Sequence, residues 1–298
     1  MTFKLLASDV DKLVDVKGLM ALIERALVES PRPPPRTSLE YLGSWFGVMP
    51  ASGLGYYVVK IVGVYPENPS RGLPLVRGTL LLYDPRSGDL LLEADAGPAT
   101  GWRTATTTLI ALRLMGYSGG ALGVIGAGVQ ARYHLEVIRR TVGYDRLLVY
   151  DVIRARAEAL AREYDGRVAG SLRELLEASD TIVAATTSRE PVVLNPYVRG
   201  GALVASIGAP RPVRELDPEL VRRGRCLLVD TREGVTSESD DWVGFERLVE
   251  LSEALKGAGC EWGDVRVYKS VGYSLLDLAI AVHLYERARS LLGAPSQS

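Results

Sequence analysis

The sequence predicts an α/β protein: a doubly wound parallel sheet preceded by an α+β unit. Three observations carry that expectation. Between residues 121 and 229, short and uniformly apolar runs alternate with helical segments, the pattern of parallel strands covered on both faces by crossover helices. One of those runs leads into a glycine turn, "GVIGAGVQAR", that opens a helix. The first third has another texture, with strand-like runs joined by a hairpin signal.

Taken in order, residues 16–29 place Leu19, Ile23, Ala26 and Leu27 at helical spacing, and "SPRPPPRTS" breaks that helix. Three strand-like runs follow, "YYVVKIVGVY", "GTLLLYD" and "DLLLEAD", the last two separated by the turn "PRSG". From Thr104 to Met115, Ala105, Leu109, Leu112 and Met115 recur at helical intervals. After "GYSGG" come five core strands, "ALGVI", "RLLVY", "TIVAA", "ALVAS" and "CLLVD", with helical segments among them. A last long helix, 273–291, is free to return to the first unit. The expected division is 1–116 with about 280–298, and 117–279.

At 298 residues the chain is long enough for two such units. With 35 basic against 36 acidic residues its net charge is −1, so no global field favours nucleic acid or an anionic membrane, and any anion must be held by local groups. The first thirty residues have early acids and no long apolar run, which does not read as a signal peptide. No run approaches the roughly 18 apolar residues of a membrane span. Cys226 and Cys260 lack metal-ligand spacing and are few for a disulfide framework, with Cys226 reading as a core residue in "CLLVD". A reduced, cytoplasmic protein without a metal site is the expectation. Scarce Asn and Gln and an excess of Arg over Lys give the composition a thermophile's bias.

The glycine turn carries the first chemistry. Gly126 would make the tight turn, and Gly128 would let backbone N–H groups approach a pyrophosphate at a helix N-terminus. Ala131 is small enough for the helix–strand packing that the third glycine of such a fingerprint serves. Asp151 ends the second strand, where a Rossmann-type fold keeps the carboxylate that accepts hydrogen bonds from the adenosine ribose. That acid favours NAD, while Arg154 and Arg156 leave room for the extra phosphate of NADP. The competing reading is a structural turn beside an unrelated surface aspartate.

Three cations stand out in the first unit. Lys60 sits among β-branched residues, so it either needs a buried anionic or polar partner or lies on an edge strand facing solvent. Arg103 reads as the start of a helix, where the macrodipole disfavours a cation, and that mismatch hints at a bound anion. Arg36 follows the proline run and taken alone is a solvated residue.

With these residues in view, the chain resembles the ornithine cyclodeaminase, mu-crystallin and archaeal alanine dehydrogenase family. The resemblance runs through "PPRT", "GVMPA", Lys60, "GTLLLYD", "DAGPATGWRTA", "GAGVQARYHLE", "TTS", "SIGAPRPVREL" and "YKSVGYSLLDLA". It implies that Arg36, Lys60 and Arg103 hold the carboxylate and the amino or imino group of a small substrate, with Val271 nearby and Lys60 as the catalytic group. An arginine fork suits a carboxylate bidentately. It implies cofactor contacts from Thr79, Val129, Gln130, Asp151, Thr186, Ala205, Ser206, Ile207 and Ser270 besides the two glycines, and a homodimer built through the first unit.

One departure bears on the reaction. Cyclodeaminases carry an aspartate just after "IGA" that is thought to move protons; here that place is Pro210, in a loop one residue short, and the mu-crystallin branch likewise departs from aspartate there and keeps the same "RP". Proline has no side-chain acid to offer. The resemblance therefore implies an NAD(P)-dependent oxidoreductase of the Cα–N bond, a ketimine reductase or alanine dehydrogenase. The alternatives are ornithine cyclodeaminase, against which Pro210 stands, and a non-catalytic binding protein of the mu-crystallin kind.

Overall fold

The computed structural model describes residues 2–292. In chain order it begins with β1 (Phe3–Leu5), α1 (Ala7–Leu13), α2 (Val16–Glu29), β2 (Thr37–Tyr41), β3 (Ser44–Gly53) and β4 (Tyr56–Val64). Then come β5 (Val76–Tyr83), β6 (Leu90–Asp95), α3 (Ala96–Leu114), β7 (Ala121–Ile125), α4 (Val129–Arg139), β8 (Arg146–Tyr150), α5 (Arg154–Glu163) and β9 (Arg167–Val168). The chain continues through α6 (Leu172–Ala178), β10 (Thr181–Ala184), β11 (Leu203–Ser206), α7 (Pro218–Gly224), β12 (Cys226–Val229) and α8 (Arg232–Glu238). It ends with β13 (Arg247–Glu250), α9 (Leu251–Leu255), β14 (Arg266–Lys269) and α10 (Ser274–Leu292). Internal contacts divide these into two compact units, 2–103 with 273–292, and 104–272.

The first unit is built on a six-stranded sheet in the order β1-β6-β5-β4-β3-β2, antiparallel except for the β1–β6 pair. Burial alternates along β4 and β6, as it must when one face of a sheet is covered. α10 forms the cover, with α1 over the β1–β6 edge, and α2 packs on α10. Asp15 caps α2 by accepting from the Gly18 N–H at 2.9 Å, and Leu19, Ile23, Ala26 and Leu27 are buried on its inner stripe. From Ser274 to Leu284 α10 is apolar nearly all round and is buried accordingly.

The second unit holds a parallel sheet ordered β13-β12-β14-β11-β10-β7-β8-β9. Its stretch β9-β8-β7-β10-β11-β14 has the 3-2-1-4-5-6 winding of a dinucleotide-binding fold, with the reversal between β7 and β10. β7, β10, β11 and β12 are buried at every position, which is why they are continuous apolar runs.

Two findings differ from the sequence reading. The units part inside α3, between Arg103 and Thr104, and not at the glycines near 116, because a helix shows no break in composition where it passes from one core to the next. The cysteines are also paired. Cys226 on β12 is in the core as expected, but it is bonded to Cys260, with their Cα atoms 5.8 Å apart, which overturns the reduced state. No helix among the described residues is long and apolar enough to cross a membrane.

Candidate active site

In the second unit β7 is followed by Gly126, whose φ of +94° suits glycine, and a Cβ there would lie 2.5 Å from the Ala185 carbonyl oxygen. Gly128 caps α4 at φ −88°, a conformation open to any residue, and a Cβ there would meet nothing within 4 Å. Neither backbone nor packing therefore asks for glycine at 128. The space it leaves, at a helix end whose first N–H groups have no partner within the helix, fits the close approach of a pyrophosphate. Ala131 is fully buried against the core, as its packing role requires.

Asp151 closes the turn from the side. Its two carboxylate oxygens accept from the N–H groups of Ala127 and Ile153, each at 2.7 Å, so the side chain is fixed while each oxygen keeps a lone pair for a hydroxyl. Val129 and Val152 stand exposed beside it. Arg154, the residue that leaves room for a further phosphate, is engaged by Glu158 at 2.8 Å. Thr186, Ser206 with Ile207, and Ser270 lie at the carboxyl ends of β10, β11 and β14, the edge of a doubly wound sheet where ligands bind, and Ala205 is buried within β11.

The turn from Ser270 to Gly272 hangs on one side chain that sequence reading missed. Asp230, buried at the end of β12, accepts at one oxygen from the Ser270 hydroxyl (2.9 Å) and from the N–H groups of Val271 (3.0 Å) and Gly272 (2.7 Å). Burial raises its pKa, against the pull of these bonds. Val271 is itself buried.

In the first unit Lys60 lies on β4, an interior strand, between Met49 on β3 and Leu80 on β5. The edge-strand reading falls, since the side chain is 3 % exposed. Its Nζ is 2.9 Å from both carboxylate oxygens of Asp277, in the first turn of α10. Arg103 Nε donates to the same carboxylate at 3.1 Å and is buried with it. α3 starts at Ala96 and not near Thr104, so Arg103 lies beyond the first turn, where the macrodipole has faded, and Asp277 rather than a mismatch accounts for its position. Burial lowers the Lys60 pKa to about 8, with Asp277 pulling it back up and the charges of Arg103 and Arg36 pushing it down. Arg36, just before β2, thus acts on the same site at longer range. Thr79 pairs with Ile61, one residue out of phase with the Lys60–Leu80 pair, and so faces the other side of that sheet.

Asp277 is the second residue the sequence reading passed over. Its signal was available: it is the one acid in "SLLDLAIAVHL". A lone carboxylate in an apolar helix needs a buried cation, and Lys60 and Arg103 are the cations that meet it.

The sequence model of the ornithine cyclodeaminase/mu-crystallin family matches residues 2–291. The chain belongs to that family. It is 34 % identical to mouse ketimine reductase mu-crystallin over 81 % of this chain and 80 % of that protein. Among solved structures it is similar to Thermococcus litoralis Δ1-pyrroline-2-carboxylate reductase in complex with NADH and L-proline. That likeness has a TM-score of 0.88 and 31 % identity, and covers 97 % of this chain and 98 % of the other. It is similar as well to an archaeal alanine dehydrogenase dimer with bound NAD, with a TM-score of 0.88 and 28 % identity over 97 % and 96 % of the two chains.

Within the family's "IGA" loop this chain holds no acid from Gly208 to Arg214. Pro210 is exposed, and the loop is fastened by Arg211, which donates to the Ser237 carbonyl in α8 and, just beyond that helix, to the Ser239 carbonyl (2.9 Å) and Asp240 (2.8 Å). The next carboxylate, Glu215, is fully buried.

Proposed function

We propose that the chain is an NAD(P)-dependent oxidoreductase acting on the Cα–N bond of a small α-amino or α-imino acid, as a ketimine reductase or an alanine dehydrogenase. The observation that carries this reading is the buried Lys60–Asp277–Arg103 cluster, in which a lysine holds a proton that leaves near pH 8. When bound, the dinucleotide supplies or takes up the hydride. Arg103 and Arg36 fix the substrate carboxylate, and Lys60 polarises the reacting nitrogen and exchanges a proton with it. Asp277 keeps Lys60 charged in a site whose burial works against the charge. Support for the cofactor comes from the open Cβ space at Gly128 and the fixed Asp151 carboxylate, which also favours NAD over NADP.

Cyclodeaminase chemistry is disfavoured, because the loop that would carry its acid offers Pro210 instead. NADH oxidation is to be followed with Δ1-pyrroline-2-carboxylate and Δ1-piperideine-2-carboxylate, beside pyruvate with ammonia, and ornithine with NAD is to be examined for proline. Turnover with an imine or with pyruvate and ammonia is the expected result. Silence on all of these substrates overturns the reading, and proline made from ornithine replaces it with cyclodeaminase. We further place the protein in the cytoplasm as a homodimer formed through the first unit, where β2 leaves Leu39 and Tyr41 exposed on an edge strand. A monomer in sedimentation experiments would exclude that assembly.

A further inference from the structure

Glu215 lies between α7 and the short loop at Pro210, and it is fully buried with five donors on its carboxylate. One oxygen accepts from the N–H (2.7 Å) and hydroxyl (2.9 Å) of Thr186. The other accepts from the Ser206 hydroxyl (2.7 Å) and from the N–H groups of Ile207 (3.0 Å) and Gly208 (2.8 Å). Gly208 is small for this reason, since a Cβ there would lie 2.7 Å from the Glu215 carboxyl carbon. A second buried carboxylate backs the first: Asp241 accepts from the Glu215 and Leu216 N–H groups at 3.2 Å. Lys269, at the end of β14, closes the network by donating to Asp241 (2.8 Å), to the Ser206 hydroxyl (2.9 Å) and to the Gly208 carbonyl (2.5 Å).

This network joins the carboxyl ends of β10, β11 and β14, all on one side of the reversal between β7 and β10. Asp151 and the glycine turn lie at β7 and β8, on the side that takes the adenosine and the pyrophosphate. The strand ends gathered by Glu215 are left for the other half of a dinucleotide. Five donors occupy the lone pairs of the carboxylate, so its geometry is that of a fastener between strand ends.

We propose that Glu215 is a positioning residue for the nicotinamide half of the cofactor, acting through Thr186, Ser206 and Ile207. The inference rests on the dinucleotide reading above. Glu215→Gln keeps the shape but turns an amide NH2 toward N–H and O–H donors on one side, so one strand end must let go.

The test is calorimetric titration of wild type and Glu215→Gln with NADH and, separately, with ADP, which carries only the adenosine and pyrophosphate. The expected result is NADH binding weakened by about 10- to 100-fold, the range for losing a charge-assisted bond, with ADP binding changed by less than about twofold. A merely structural role would move both ligands together, and equal loss for both, or no loss for either, overturns the proposal. Should Glu215→Gln fail to fold, Ser206→Ala removes one donor from the same carboxylate and is expected to weaken NADH alone. A wild-type protein that binds neither ligand overturns the dinucleotide reading and this inference with it.

Discussion

At the scale of single residues, Lys60 and Asp277 make the sharpest expectations. In the mechanism proposed above, reduction needs protonated Lys60, so kcat/KM for imine reduction is expected to fall as pH rises through about 8, while the reverse oxidation rises over the same range. Asp277→Asn removes the charge that holds the proton on Lys60, and the limb should move to lower pH; a pH–rate profile of both proteins checks it. The variant leaves a buried lysine without its counter-ion, which costs about 3–5 kcal/mol of stability. The two glycines separate binding from folding. Gly128→Ala is expected to weaken NADH binding with little change in melting temperature, whereas Gly126→Ala, forced to φ +94° against a carbonyl, should unfold early; calorimetric titration and thermal denaturation of both variants check this. Part of this was legible in the sequence: an arginine in "GWRTA" hinted at an anion, and a lysine amid β-branched residues needed an anionic or polar partner unless it faced solvent on an edge strand. That the anion is Asp277 depends on α10 returning across β4, a long-range placement that no local pattern encodes.

Among the elements, the helices carry the chain's two histidines as neutral core residues. His134 on α4 bonds the Gln130 carbonyl (2.7 Å) and the Thr108 hydroxyl (3.0 Å), and His283 on α10 accepts the Asp15 N–H at 3.0 Å, so it joins α10 to the cap of α2. Burial lowers each pKa to about 4. The unfolded chain takes up these protons near pH 6.5 and the folded one does not. Stability is therefore full above pH 6.5 and declines as pH falls from 6.5 to 4. The loss is on the order of 3 kcal/mol for each histidine. Urea unfolding across that range should show the slope, and His283→Gln should flatten its share of it. Elements with a clean period were readable, among them α2, the β5–β6 hairpin and the five core strands of the parallel sheet. β3 was not, because Gly47, Pro50 and Gly53 interrupt "SWFGVMPASG", and neither was β14, whose "RVYK" is too short to stand out. β14 matters most for the site, since it inserts between β11 and β12 and carries Lys269 and Ser270 to the others.

For the molecule as a whole, the Cys226–Cys260 bond changes the expectation for stability. It closes a sequence separation of 34 residues, for which restriction of the unfolded chain contributes about 3–4 kcal/mol. Thiol titration is expected to find no free thiol before reduction and two after it, and reduction or Cys260→Ser should lower the melting temperature by several degrees, as differential scanning calorimetry would show.

The same covalent loop encloses Asp230 and Asp241, which fasten the two sides of β14's carboxyl end. β13 and β12 form one margin of the parallel sheet, the place where transient opening of a fold begins. With the loop shut by a covalent bond, such an opening keeps both acids within reach of their donors, and reclosing needs no search. Amide exchange at Ser270 to Gly272 should therefore quicken on reduction well below the temperature at which the fold is lost. The sulfur bridge is thus a tether for Asp230 and Asp241, the two acids that hold the carboxyl end of β14 in register.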